Sequence, residues 1–425
     1  MKNWQGLKLA KSYQCTYFNS SIAFGTTRYV AVGDSGFQST DTTEDNFQRT
    51  WRKAGKMKNL IVKVTQYSLD ANVSITLRKN KTDTSSAVTI NATGTFEDAD
   101  EITIADTDEM NYSMVVAGTT GTYAPRMIGI TFEPDDGTIY KNFTCQLGAS
   151  GVTFTDNTTR YLPLTGYVSN QSTENKVYSR FKCTGKLKNG FVYVSQNDIS
   201  SASTIVLRKN STTDGNVSIS ITGNTTGIFE DTSHTDDVAV DDYWYWKVVA
   251  PSVGGTHTIT LGSVGIAFES NNLVYPMISG DSVGSVLNSG TNRRYGFGFL
   301  ISGSTGDSTV IEKTKGEYVA RNMSLYVQAN SFTTGSSTCT LRKNSSATSV
   351  TMSIGAGATG AFEDNTNIVT YQPEDTIDFD VTAQTEATKS ITMTACTLLF
   401  DQTHLLVPLI TKKPFYEIEE NDNIG

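Results

Sequence analysis

The tetrapeptide Leu-Arg-Lys-Asn occurs three times in this 425-residue chain, at positions 77–80, 207–210 and 341–344. The tripeptide Phe-Glu-Asp follows each copy, at 96–98, 229–231 and 362–364, a step of 133 residues both times. A Thr-Gly stands ahead of each Phe, with its glycine at Gly94, Gly227 and Gly360. An Arg-Tyr pair opens each stretch (Arg28-Tyr29, Arg160-Tyr161, Arg294-Tyr295), and an apolar run ends each at Phe132, Phe268 and Phe400. Several markers in one order at one period read as an internal triplication. The expected units are 1–137, 138–272 and 273–403, with a tail over 404–425. The repeat-defining residues are Arg78, Arg208 and Arg342, Phe96, Phe229 and Phe362, and Asp98, Asp231 and Asp364.

Within each unit the hydrophobic period is two. Leu60, Val62 and Val64 alternate with Ile61, Lys63 and Thr65, which predicts strands with one buried face. After the Phe-Glu-Asp marker, Asp242 precedes Trp244, Trp246 and Val248, and Asp375 precedes Ile377, Phe379 and Val381. In the first unit Asp108 precedes Met110, Tyr112 and Met114. A strict 133-residue offset would align Asp108 with Asp241 and turn every side chain to the wrong face. A one-residue gap restores the parity, so Asp108, Asp242 and Asp375 are equivalent. Alternation sends Trp244 and Trp246 to the core and Tyr243 and Tyr245 outward. No helical stripe is present. The expected fold is all-β: three tandem antiparallel β-sandwiches of the jelly-roll kind, about eight strands each, with turns such as Asn80-Lys81 and Asn210-Ser211. An immunoglobulin-type sandwich is the alternative, although 133 residues is long for one. The junctions at 133–140 and 270–275 are short, which favours packed neighbours, including a closed pseudo-trimer, over loose beads.

Composition narrows the function. A net charge of −9 argues against a phosphate-gripping, nucleic-acid-binding surface. No apolar run approaches membrane-spanning length, and residues 1–17 lack the apolar segment of a secretory signal. The five cysteines are widely spaced with no CxxC, so buried thiols are expected rather than disulfides or a zinc site.

Three motifs invite chemistry. Residues 355–360 match G-x-G-x-x-G, but a dinucleotide site needs a helix after the loop, and here a strand follows. Histidine is scarce (His234, His257, His404) and stands in no acid–base motif, so no catalytic residue and no cofactor is assigned. Acidic clusters recur, and Asp108, Asp242 and Asp375 are the calcium candidates. The competing reading is that these aspartates close turns. For Arg-Lys-Asn the alternatives are a basic patch for an anionic partner, or an Arg that pairs with the Glu-Asp of its own unit.

The Leu-Arg-Lys-Asn strand end, the Thr-Gly-x-Phe-x-Asp turn and the Asp-x-Ile-x-Phe-x-Val strand, as at Asp375–Val381, resemble a β-sandwich module of tailed-phage virion proteins. The module also looks like the C1q and tumour-necrosis-factor type of trimeric jelly roll. The resemblance spans residues 20–403. It implies a non-enzymatic virion component made in the host cytoplasm without a signal peptide: a capsid decoration or head-fibre protein, or alternatively a tail-associated receptor- or carbohydrate-binding adhesin. Implied partners are other virion proteins, copies of itself, or host surface glycans, and neither nucleic acid nor membrane. The tail is apolar and basic over 404–414 and acidic over 415–425, and either docks on a neighbour or completes the third unit.

Overall fold

The computed structural model describes residues 10–18, 22, 25–33, 42–147, 151–167, 171–296, 312–313 and 316–403. The tail from 404 onward, including His404, lies outside them. The described residues are strands and turns, with two short 3-10 turns at Glu44–Phe47 and Glu174–Lys176. No helix among them is long and apolar enough to cross a membrane.

The strands fall into three blocks, and each block places its strands in two sheets. In the first block one sheet runs Ser12–Tyr17, Tyr123–Pro134, Gly55–Tyr67, Gly94–Asp98. The other runs Thr26–Ala31, Glu109–Val116, Val73–Lys79, Thr82–Ile90. The second block repeats this order with Ile139–Gln146, Thr258–Ser270, Gly185–Asn197, Gly227–Val238, and with Thr158–Leu162, Tyr243–Ala250, Ser203–Lys209, Thr213–Ile221. The third repeats it with Val274–Asn288, Ser390–Asp401, Tyr318–Asn330, Gly360–Tyr371, and with Asn292–Tyr295, Thr376–Thr382, Ser336–Lys343, Ser346–Gly355. Neighbours within each block pair antiparallel, as a jelly-roll sandwich requires. The short strand Gly166–Tyr167 pairs in parallel with both Ile139–Gln146 and Val274–Asn288, which fuses two first sheets into one ten-stranded sheet.

Alternation puts the apolar faces between the sheets. Leu60, Val62 and Val64 are buried, as are Trp244, Trp246 and Val248, each worth about 1.5–3 kcal/mol when removed from water. The outward face is not free everywhere. Tyr245 is completely buried and Tyr243 half-buried, contrary to the alternation argument. Tyr161 and Tyr178 lie on Tyr245, while Tyr326 of the third block packs edge-on against Tyr243. Alternation reports which face a side chain takes, and here both faces are covered.

Two backbone features set the hairpins and the strand curvature. At Asn80-Lys81 and Asn344-Ser345 both residues have positive φ, between the paired residues Lys79/Thr82 and Lys343/Ser346. This is the twisted two-residue turn that matches a right-handed hairpin. In the second block Lys209 pairs with Thr213, so the turn carries one extra residue, Thr212. Asn59, Asn189 and Asn322 also have φ of 57°, 54° and 52°, in mid-strand, beside shifts of register. These are bulges that kink one 13-residue strand in each block, Gly55–Tyr67, Gly185–Asn197 and Tyr318–Asn330. The left-handed conformation costs most residues about 1–2 kcal/mol, and asparagine tolerates it. Asn322→Ala should therefore lower stability by about 1 kcal/mol, seen as a reduced denaturation midpoint, whereas Asn322→Gly should stay near the wild type.

Candidate functional site: the inter-block contacts

The polar residues that recur in the sequence converge on two kinds of place, hairpin ends within a block and seams between blocks. At the hairpin ends the same network appears three times. The side-chain amide of Asn80 donates to Asp108 Oδ1 at 2.7 Å, that of Asn210 to Asp242 at 3.0 Å, and that of Asn344 to Asp375 at 2.6 Å. The second oxygen of each aspartate accepts a backbone N–H three residues earlier, from Ala105, Ala239 and Gln372. Lys79, Lys209 and Lys343 complete the triads at 3.4, 2.7 and 2.7 Å. Burial raises the Asp242 pKa, but hydrogen bonds from Lys209, the Ala239 N–H and Asn210 outweigh it and hold the carboxyl below its ordinary value. Asp108 and Asp375 shift in the same direction, again with donors overcoming burial. The calcium candidates thus face nitrogen donors in a turn-closing arrangement. Among the described residues no group of three or more His, Cys, Asp or Glu stands ready to hold a metal.

The repeated arginines do not pair with Phe-Glu-Asp of their own block, and that expectation is corrected here. Arg78 binds Glu44 at 2.7 Å and also Asp83; Arg208 binds Glu174 at 3.2 Å and Asp214 at 3.0 Å; Arg342 binds Asp378 at 3.2 Å. Each also donates to the carbonyl of its hairpin loop, at Lys81, Ser211 and Ser345. The reason is layering. Arg-Lys-Asn ends a strand of one sheet, whereas Phe-Glu-Asp lies at the edge of the other.

The three residues of Phe-Glu-Asp divide their roles. Phe96, Phe229 and Phe362 pack half-buried against the cores. Asp231 and Asp364 reach across to the second sheet. Asp231 accepts the Ser218 N–H at 2.9 Å and Asp364 the Thr351 N–H at 2.9 Å. His234 Nδ1 also lies 2.9 Å from Asp231, which ties it to this turn. Asp98 departs from the pattern, and its buried Oδ2 has no hydrogen-bond partner. Two residues on, the donors Ser233 and Thr366 are replaced by an acceptor, Asp100.

The glutamates leave their own block. Glu230 pairs with Arg52 of the first block at 2.5 Å. Glu363 pairs with Arg180 and, at 2.9 Å, with Lys182 of the second block. Glu97 pairs with Lys313 of the third block at 3.0 Å. Thr50, Arg180 and Lys313 occupy one register position, opposite the residue that follows Asp108, Asp242 and Asp375. The cation comes from that position or from two residues beyond it (Arg52, Lys182), and the glutamate of each block receives it from the preceding block in cyclic order, first to second, second to third, third to first. The third-to-first contact also has a backbone clasp: the Lys11 N–H donates to Gln402 Oε1 at 3.1 Å, and Gln402 Nε2 donates to the Lys11 carbonyl at 2.7 Å.

The first strands of the blocks meet one another as well. Ser12, Lys141 and Tyr275 pair with Phe132, Phe268 and Phe400 respectively, so they hold equivalent positions, and all three are fully buried. Ser12 donates to the Tyr140 carbonyl. Lys141 Nζ donates to the Tyr13 carbonyl at 2.5 Å, lies 3.2 Å from the Met277 sulfur and stands 5.4 Å from the centre of the Tyr275 ring. One core cluster joins residues of all three blocks, from Tyr13 and Cys15 to Leu398 and Phe400.

Little else suggests chemistry. All five cysteines are free and buried, and burial pushes the Cys183 thiol up to about 12, far from the thiolate form at neutral pH. An open groove of about 350 Å³ lies along the second block, lined by Lys186, Lys188, Asp237, Glu269, Asn271 and Asn272. Its charges are mutually paired, Lys186 with Asp237 at 2.7 Å and Lys188 with Glu269.

No protein-family model matches the chain, and no curated protein matches it. Solved structures that overlap it include a chain from work on the triple jelly roll fold and turret assembly in an archaeal virus. That chain is 14% identical, with 91% of this chain and 89% of that one covered, at a TM-score of 0.17. Another is from the infectious bursal disease virus Gx strain, 8% identical, with 92% and 79% covered, at a TM-score of 0.20. These TM-scores lie below the range of a shared three-dimensional arrangement. The chain is thus an all-β protein of stacked antiparallel sandwiches whose recurring polar residues are spent on hairpins, sheet staples and seams.

Proposed function

We propose that this protein is a non-enzymatic structural component of a virus particle, in which three equivalent sandwiches, bounded at 1–137, 138–272 and 273–403, form a pseudo-trimer within one chain. The observation that carries the reading is the cyclic contact of Arg52, Arg180 with Lys182, and Lys313 on Glu230, Glu363 and Glu97. A repeat that turns the same glutamate of every unit toward a neighbouring unit is built for assembly. Resemblance of its motifs to tailed-phage virion modules narrows the role to a bacteriophage decoration or head-fibre protein. Partners are then other virion proteins, and the site of action is the particle, assembled in the host cytoplasm. The groove beside Lys186 and Asn272 supports a second reading, a tail-associated carbohydrate-binding adhesin.

A density map of purified particles separates these. Decoration places single-chain density with local three-fold shape on the capsid exterior, and adhesion places it at the tail. Absence of the chain from purified particles overturns both.

A further inference from the structure

In a trimer of identical chains the residues around the axis must tolerate their own copies. Here the three equivalent first-strand positions carry a small hydroxyl, a cation and a large ring: Ser12, Lys141 and Tyr275. They are complementary to one another and poorly suited to themselves. The Lys141 stem passes to the first block, where its ammonium meets the Tyr13 carbonyl. The same ammonium faces the third block through the Met277 sulfur and the Tyr275 ring. A cation over an aromatic face in a buried setting is attractive. Three copies of the second block around one axis would instead bring three ammoniums to one buried place, which is strongly unfavourable. Three copies of the third would crowd three tyrosines there, and three copies of the first would leave a void.

We propose that Lys141 specifies the composition of the ring, so that the axis admits one copy of each block and the chain closes on itself rather than joining like blocks from other chains. This rests on the pseudo-trimer reading above. Buried polar groups act this way in other assemblies, where one residue at the interface fixes register and partner number.

The test uses the full chain. After refolding from denaturant at high protein concentration, a carbodiimide joins Lys313 to Glu97 where they touch, and mass spectrometry with a denaturing gel tells intramolecular from intermolecular links. The wild type should refold to single chains with the link inside one chain. Lys141→Met, which keeps the volume, should still fold but yield a severalfold larger share of intermolecular links and higher-mass species. Tyr275→Lys, which adds a second ammonium at the axis, should lower the melting temperature and abolish the intramolecular link. Lys141→Met refolding to single chains in the wild-type proportion would overturn the role of Lys141, as would a Tyr275→Lys variant with wild-type melting and linking. Absence of the intramolecular link in the wild type would overturn the ring itself.

Discussion

Asp378→Ala should destabilise the protein by about 3–5 kcal/mol, the cost of breaking a buried ion pair from one side. The Asp378 side chain is 1% exposed and its partner Arg342 is 6% exposed, with Nη1 and Oδ2 3.2 Å apart. A second carboxylate, Asp380, lies 3.9 Å from Arg342 Nε, too far to replace the lost contact. The guanidinium stays in the core because its Nη2 is held by the Ser345 carbonyl and its own carbonyl by the Tyr371 hydroxyl. The other blocks solve the same problem differently. Asn111 and Tyr245 stand where Asp378 does, opposite Arg78 and Arg208, and those arginines turn to Glu44 and Glu174 of the 3-10 turns. Asp83→Ala is the contrasting case, because Asp83 is 61% exposed and its pairing with Arg78 should be worth less than about 1 kcal/mol. Denaturant midpoints of the two variants check the difference. Equal midpoints would mean that burial does not decide the strength of these pairs.

Much of this fold is written locally, and the seams are not. Alternation at Leu60–Val64 and Trp244–Val248 predicts strands and their buried faces, because side-chain direction in a strand follows from chain parity alone. The one-residue gap that aligns Asp108 with Asp242 and Asp375 follows from the same parity, and the three aspartates make matching bonds to Asn80, Asn210 and Asn344. Asn59, Asn189 and Asn322 carry a legible signal that composition hides. In a chain so rich in asparagine, only their spacing of 18, 18 and 19 residues ahead of Leu77, Leu207 and Leu341 sets them apart as left-handed bulge positions. Tyr245 could not be placed from its own strand, because what covers it comes from Tyr161 and Tyr178, far along the chain. The glutamates of Phe-Glu-Asp are the clearest limit. Their recurrence is visible in the sequence, but their partners Arg52, Lys182 and Lys313 share neither one residue type nor one repeat position, and they belong to other blocks. Only the closure of the chain brings them together.

The second large effect is expected at Asp364. Its carboxylate accepts backbone N–H groups from Thr351, Thr366 and Asn367 at 2.9, 3.1 and 3.0 Å, and side-chain donors from Thr366 and Asn367. Thr351 belongs to the opposite sheet, so one side chain staples the two layers of the third sandwich. Asp364→Ala removes the acceptor and leaves several donors without it, a loss of about 3 kcal/mol. Asp98→Ala, in the block where Asp100 replaces the serine or threonine donor, should be close to neutral. Asp364 also has a signature in acid. Burial acts to raise the Asp364 pKa, but the donors from Asn367, Thr351 and Thr366 prevail and bring it to about 2, from an ordinary 3.8. A carboxylate with a depressed folded pKa stabilises the fold at pH values above its unfolded pKa, and the contribution is lost as the pH falls through the folded one. For Asp364 this is about 2 kcal/mol, fully present above roughly pH 5 and gone near pH 1–2. The gap in denaturant midpoint between wild type and Asp364→Ala should therefore narrow steadily from pH 5 to pH 2. A gap that stays constant over that range would mean that Asp364 acts by packing and not as a charged acceptor.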